Sequence, residues 1–233
     1  DHHKYAISDL CLIPRYAVLD PTLTLGLPPH ITAETGMDAL THAVEAYLSR
    51  FYNTKETRER AERAVVSIFA HLERAYRNGA SLPDRMAMLE ASFDAGAAFT
   101  RASVGNVHAI AHTLGGLYGT AHGLANAVLL PIVLEDYGAA AWPRLARLAS
   151  LVGLEGDTEE ARARAFVAAI RAMNARMGIP DRFDFIRTED VARMAAWAAA
   201  EANPVYPVPV IYDESRFARV IGRARTGANL TES

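Results

Sequence analysis

Five side chains that can bind a metal ion lie in two short stretches of the sequence. Asp38 and His42 are four residues apart, and His108, His112 and His122 follow about two helices later. Because an α-helix turns once every ~3.6 residues, side chains at positions i and i+4 lie on one face and converge on one point. One carboxylate together with three of these four imidazoles suits Fe²⁺ or Zn²⁺. The residue types and their spacing therefore predict a metal site.

The alternative for any one histidine is an ordinary structural or surface role. A single histidine on an alanine-rich helix is more often hydrogen-bonded or exposed than a metal ligand. We interpret His71, His2, His3 and His30 in this way. The other four histidines lie among small, apolar residues, where an unpaired polar group is costly unless it has a partner or an ion. As a set, they favour the metal site.

The elements that position these residues are predicted to be helices. From Thr32 onward the chain is rich in Ala, Leu, Arg, Met and Glu, which favour helix. Gly115, Gly116 and Gly119 predict a tight bend that returns the last histidine toward the others. Glycines mark most breaks, and Asp213 has the position of an N-cap. We expect helices near residues 33–50, 55–77, 83–101, 104–117, 122–137, 139–152, 158–177, 188–200 and 213–224.

The first 30 residues differ from the rest. Pro28, Pro29 and other prolines break any helix there, and short strands are predicted at residues 4–7 and 17–19. We therefore expect an extended lead-in over residues 1–30 and an all-α, multi-helix metal-binding domain over residues 31–233.

Composition indicates an ordinary globular protein. The 233 residues are 51% hydrophobic, and the formal net charge is −3. Basic residues are scattered, so we expect neither nucleic acid nor a membrane as partner, but a small molecule. Cys11 is the single cysteine and cannot form an intramolecular disulfide. A cytoplasmic location is expected.

No glycine-rich turn lies between a strand and a helix in the sequence. Such a unit is the usual cradle for the phosphates of a nucleotide. The chain therefore has no local candidate for a dinucleotide-binding turn.

The predicted ligands lie in two stretches of the sequence. These are residues 32–47, Thr-Ala-Glu-Thr-Gly-Met-Asp-Ala-Leu-Thr-His-Ala-Val-Glu-Ala-Tyr, and residues 108–127, His-Ala-Ile-Ala-His through Ala-His-Gly-Leu-Ala-Asn-Ala. The two stretches closely resemble the two signatures of the iron-containing, group III alcohol dehydrogenases. The match is specific in residue type and spacing, and the resemblance runs from Lys4 through residues 204–224, which is nearly the whole chain. Ala121 stands where the family often has proline, which changes loop stiffness rather than ligation.

The resemblance implies a role for each candidate residue. His112 is implied to face the nicotinamide ring and to help move protons, and Lys4 to contact the ribose of the cofactor. The implied cofactors are Fe²⁺ or Zn²⁺ together with NAD or NADP. The implied metal ligands are Asp38, His42, His108 and His122.

The resemblance also implies an activity and a missing part. It implies an alcohol dehydrogenase or aldehyde reductase in which the metal acts as a Lewis acid on the substrate oxygen during hydride transfer. Family members carry an α/β dinucleotide-binding domain before the helical domain, and this chain resembles the helical half alone. A fragment and a naturally short gene product both fit the sequence, and a homo-oligomer is left open.

Two other functions compete with this interpretation. The chain alone is either a dehydrogenase or a metal-binding helical module without catalytic activity. An all-α metallohydrolase is disfavoured, because no histidine is followed by aspartate and no His-Glu-x-x-His is present.

Two further sets of residues are candidates around the metal. Glu45 lies on the same helical face as Asp38, and is predicted either to accept a hydrogen bond from a ligand imidazole or to be a capping or solvent-facing carboxylate. Candidates to line the substrate pocket, or to be ordinary core residues, are Phe99, Asn106, Trp197, Asn203 and Tyr206.

Overall fold

The computed structural model describes residues 9–226, and the prediction of an all-α fold is confirmed for them. All regular structure in this range is helical except one isolated bridge between Phe183 and Arg225. None of the helices in it has the length and apolar character needed to cross a membrane. The α-helices are α1 (Pro29–Leu48), α2 (Lys55–Arg77), α3 (Leu82–Ala102), α4 (Asn106–Tyr118), α5 (His122–Tyr137), α6 (Trp142–Leu151), α7 (Glu159–Arg176), α8 (Val191–Ala202) and α9 (Glu214–Arg223).

The lead-in contains two short 3-10 turns, Leu10–Leu12 and Pro21–Thr24. The strand expected at residues 17–19 is wrong. The backbone there pairs with no other strand among the described residues, and Val18 is 90% exposed. Extended backbone without a neighbouring strand has no ladder to join. The strand expected at residues 4–7, and Lys4 itself, lie outside the described residues.

Proline and glycine act differently at two helix ends from what we expected. Pro29 is the first residue of α1 rather than a helix breaker, because its fixed φ and missing N–H suit the first turn. Gly115 and Gly116 lie inside α4. Only Gly119, with φ of +66°, ends that helix in the left-handed region.

Helix α9 begins where the sequence indicates. The carboxylate of Asp213 accepts a hydrogen bond from the backbone N–H of Arg216, which confirms the predicted N-cap.

Helix α1 lies at the centre of the packing. It contacts α2, α3 and α5, while α4 packs between α5 and α8. Two glycines permit these approaches: a Cβ on Gly36 would lie 2.2 Å from Leu72 Cδ1, and one on Gly123 would lie 2.4 Å from the carbonyl oxygen of Glu34. Close contact between α1 and α5 brings together two of the helices that contain the predicted ligands.

Candidate metal centre

Three helices meet at the four predicted metal ligands. Asp38 and His42 lie one turn apart on α1, His108 lies in the first turn of α4, and His122 is the first residue of α5. One donor atom from each of the four residues lies within 4.8 Å of the others. Residues from distant parts of the sequence therefore form one cluster of one carboxylate and three imidazoles.

The distances in this cluster fit a single ion. His42 Nε2 and His108 Nε2 are 3.0 Å apart, while Asp38 Oδ1 lies 3.6 Å from His122 Nε2 and 3.9 Å from His108 Nε2. Two nitrogens that bind one tetrahedral Zn²⁺ at ~2.1 Å are separated by ~3.4 Å. The donor set and its spacing suit Fe²⁺ or Zn²⁺ without rearrangement of the helices.

Burial keeps two of the imidazoles uncharged. The pKa of His42 is lowered to about 4 by burial and by the neighbouring His108, and burial lowers the pKa of His108 to about 3. Both rings are therefore neutral near pH 7, as metal ligation requires. The side chain of His122 is 30% exposed and that of Asp38 is 22% exposed, which leaves one side of the cluster open.

Glu45 links the cluster to the start of α4. Its Oε2 accepts hydrogen bonds from His108 Nδ1 at 2.6 Å and from the backbone N–H of Gly105 at 2.8 Å, and its Oε1 accepts one from Val107 N at 2.8 Å. The side chain thus both orients a predicted ligand and caps a helix, and it is not solvent-facing. Burial raises the pKa of Glu45 to about 7, against the opposing effect of the two backbone donors.

Glycine is required beside this carboxylate. A Cβ on Gly105 would lie 2.7 Å from Glu45 Oε1. The Nδ1 bond to Glu45 leaves His108 Nε2 as the nitrogen that faces the other donors.

Asn126 is a member of the site that the sequence analysis missed. Its Nδ2 lies 2.5 Å from Asp38 Oδ1 and 3.1 Å from both His108 Nε2 and His122 Nε2. Atoms from three predicted ligands therefore surround the amide nitrogen of Asn126. The signal in the sequence was its position four residues after His122, on the same face of α5.

His112 lies beside the four-donor cluster and is not part of it. Its ring stacks on that of His122, with centroids 5.3 Å apart and an interplanar angle of 16°. His112 Nδ1 lies 2.7 Å from Glu201 Oε1 on α8, and the hydroxyl of Tyr206 donates to the same oxygen at 2.6 Å. Glu201 was also missed, because 89 residues separate it from His112 and no local pattern connects them.

The candidates for the substrate pocket divide into two groups. Phe99 stacks on His42 with ring centroids 4.3 Å apart, and Tyr206 reaches the site through Glu201. The remaining candidates make other contacts. Asn106 donates a hydrogen bond to the carbonyl of Val210, Asn203 donates one to the carbonyl of Tyr212, and the guanidinium of Arg193 lies over the ring of Trp197.

The sequence of this chain is similar to those of known proteins. Residues 32–214 match the model of the Fe-containing alcohol dehydrogenase family, C-terminal. A 1,3-propanediol dehydrogenase of Klebsiella pneumoniae is 41% identical over 205 residues, which cover 86% of this chain and 52% of the relative. Alcohol dehydrogenase 4 of Saccharomyces cerevisiae is 40% identical over 211 residues, which cover 87% and 54%. The chain thus spans about half the length of these relatives.

Solved structures show the same relation. A crystal structure of a 1,3-propanediol oxidoreductase superposes with a TM-score of 0.84 at 39% identity, over 88% of this chain and 54% of that one. An alcohol dehydrogenase from Oenococcus oeni gives 0.83 at 34% identity, over the same shares. The match of sequence and of fold leads to one conclusion: the chain belongs to the Fe-containing alcohol dehydrogenase family.

Proposed function

We propose that this chain is the metal-binding region of a dehydrogenase that interconverts alcohols and aldehydes with NAD or NADP. The observation that carries the proposal is the four-donor cluster of Asp38, His42, His108 and His122. The names of the relatives, a 1,3-propanediol dehydrogenase and alcohol dehydrogenases, support the same reaction class.

The four donors are proposed to hold one Fe²⁺ or Zn²⁺. When bound, the ion supplies Lewis acidity at the substrate oxygen, and the nicotinamide exchanges a hydride with the substrate carbon. The exposed edge formed by Asp38 and His122 leaves room for that oxygen, as a catalytic site requires. Phe99, stacked on His42, provides an apolar wall that excludes water beside it.

His112 is proposed to move the proton of the alcohol. It lies next to His122 without belonging to the ligand set, and 13% of its side chain is exposed. An imidazole can both accept and donate a proton, so this position suits transfer between the substrate oxygen and solvent.

The nucleotide is proposed to bind mainly on a separate domain. The lead-in of residues 1–30, including Lys4 as a contact to the ribose, would connect that domain to the helical domain of residues 31–233. Support comes from the share of the relatives that this chain spans, 52% and 54%.

The second candidate function is a closed, structural metal centre. Binding of Co²⁺ can distinguish such a centre from an open, catalytic one. The chain is loaded with Co²⁺, whose visible absorption depends on its ligands, and is titrated with 1,3-propanediol and with butanol. We expect a saturable spectral change, because one side of the centre is open. A bound Co²⁺ whose spectrum stays constant in both titrations would contradict the proposed dehydrogenase site.

A parallel titration with NADH and NADPH, followed by fluorescence, tests where the cofactor binds. Weak or absent binding by the metal-loaded chain is expected if the cofactor is held mainly by another domain. Tight, saturable binding would contradict that division, and the chain could then be tested for turnover as a minimal dehydrogenase.

A further inference from the structure

Three side chains beside the metal cluster form a hydrogen-bonded series. His112 Nδ1 lies 2.7 Å from Glu201 Oε1, and the Tyr206 hydroxyl donates to that oxygen at 2.6 Å. His112 is on α4, Glu201 is in the last turn of α8, and Tyr206 follows α8. The packing of α8 against α4 therefore brings a carboxylate to one nitrogen of this imidazole.

We propose that Glu201 is a positioning residue that fixes the tautomer of His112, with the ring hydrogen on Nδ1. A carboxylate only accepts hydrogen bonds, so His112 Nδ1 carries a hydrogen whether the ring is neutral or charged. Nε2 is then the ring nitrogen that keeps a free lone pair in the neutral ring, and it is the nitrogen that the proposed proton transfer would use. The role of His112 in proton transfer rests on the proposed function, whereas its hydrogen bond to Glu201 does not.

Tyr206 holds the carboxylate of Glu201 in place. Its backbone N–H donates to the carbonyl of Ala202 at 2.8 Å, so the loop that carries the phenol is tied to the end of α8. Burial raises the pKa of Tyr206 well above its ordinary value, and the hydroxyl therefore stays protonated as a donor. Two donors on one oxygen restrict the rotation of the Glu201 side chain.

The orientation of the His112 ring matters because the ring lies beside a predicted metal ligand. His112 stacks on His122, a predicted ligand, at an interplanar angle of 16°. Loss of the Glu201 acceptor would free the neutral ring to place its hydrogen on Nε2, and this nitrogen would then be unable to accept a proton.

The test is the ring tautomer of His112 in the zinc-loaded chain, measured by NMR with ¹⁵N-labelled histidine. A His112→Gln variant assigns the signals. In the wild type we expect the neutral ring to carry its hydrogen on Nδ1. In Glu201→Leu the Nε2–H form should become the major one, and Glu201→Gln, which keeps an oxygen acceptor, should restore Nδ1–H. His71, which pairs with Asp84 at 2.8 Å, is the internal control and should not change.

Zinc content is measured on the same samples and should be one ion per chain in every variant. The proposal is overturned if wild-type His112 carries Nε2–H, or if Glu201→Leu leaves the tautomer unchanged. It is also overturned if either Glu201 variant loses zinc, since that would indicate a structural role in the centre. Failure of the dehydrogenase proposal would appear separately, as a Co²⁺ spectrum insensitive to alcohol.

Discussion

At the scale of single residues, the predicted ligands depend on neighbours that do not ligate. Glu45 accepts three hydrogen bonds, of which one orients His108 and two fix the start of α4. Asn126 contacts three of the predicted ligands through one nitrogen. We therefore expect the affinity for an ion to depend on this second set of residues as well as on the predicted ligands.

The Glu45→Gln variant tests this dependence. A glutamine offers one acceptor oxygen where three donors now converge, so a donor is left unpaired and His108 is held less firmly. We expect the affinity for Zn²⁺ to fall by about 10–100-fold, measured by competition with a chromophoric chelator. Glu90→Gln, on an exposed position of α3, should leave the affinity unchanged. An unchanged affinity in Glu45→Gln would contradict the role given to this carboxylate.

The pH dependence of stability follows from three buried groups. Burial lowers the pKa of His42 to about 4 and of His108 to about 3, from 6.5. Between the lowered pKa and 6.5, each imidazole binds a proton in the unfolded chain but not in the folded chain. The free energy of unfolding therefore falls by about 1.4 kcal/mol for each group and each pH unit toward acid. Glu45 acts oppositely between its ordinary pKa of 4.5 and its folded pKa of about 7, because there the folded chain holds the additional proton.

Two histidines outweigh one carboxyl, so the unfolding free energy of the metal-free chain should decrease as the pH is lowered from 6.5 to 4.5. Urea denaturation across this range measures the slope, which we expect to be about 1.4 kcal/mol per pH unit from these groups. The His108→Gln variant should remove about that amount from the slope. Stability that rises toward acid pH would show that the two imidazoles are not buried neutral.

The sequence was informative about this site only within single helices. The four-residue spacing of Asp38 and His42 reports one helical face, and the recognised signatures supplied the other ligands. Glu201 carries no comparable signal, because its contact with His112 is created by the packing of α8 on α4. Asn126 had a signal, but an amide on an apolar helix is not in itself a mark of a metal site.

At the scale of elements, the approach of α1 and α5 sets the distance between ligands on the two helices. Helix propensity and glycine or proline punctuation located the helices of residues 29–223 to within a few residues. The lead-in could not be predicted in the same way, because a strand needs a pairing partner and none lies beside residues 17–19 in the described part of the chain. Local sequence thus determines these helices better than it determines the backbone that precedes them.

The Gly123→Ala variant tests the close approach of the two helices. The added Cβ would lie 2.4 Å from the carbonyl oxygen of Glu34, so α5 must move away from α1. We expect a loss of about 1–3 kcal/mol in the free energy of unfolding and weaker Zn²⁺ binding. Gly96→Ala on α3 is the matched control: no atom lies within 4 Å, and a gain of about 0.5–1 kcal/mol is expected. Equal stability of the two variants would contradict the proposed packing constraint.

At the scale of the whole molecule, the metal cluster joins helices that already share one hydrophobic core. The core extends from α1 to α9, so we expect an ion to bind to a chain that is already folded. Zinc should therefore raise the melting temperature without being required for cooperative unfolding.

Calorimetry with and without zinc measures this contribution. At a free concentration 100 times the Kd, binding adds about 2.7 kcal/mol, which corresponds to a rise of about 5–10 °C for a chain of this size. A chain that loses its helical circular dichroism when the metal is chelated would show instead that the fold depends on the ion.

The most direct test of the central claim is the stoichiometry and affinity of Zn²⁺ binding by three forms of the chain. The wild type should bind one ion. His108→Ala, which removes a predicted ligand, should weaken the binding by more than about 100-fold, a larger loss than that from a residue that only orients a ligand. His71→Ala, outside the cluster, should bind like the wild type. A His108→Ala chain that binds Zn²⁺ as tightly as the wild type would contradict the four-residue metal centre.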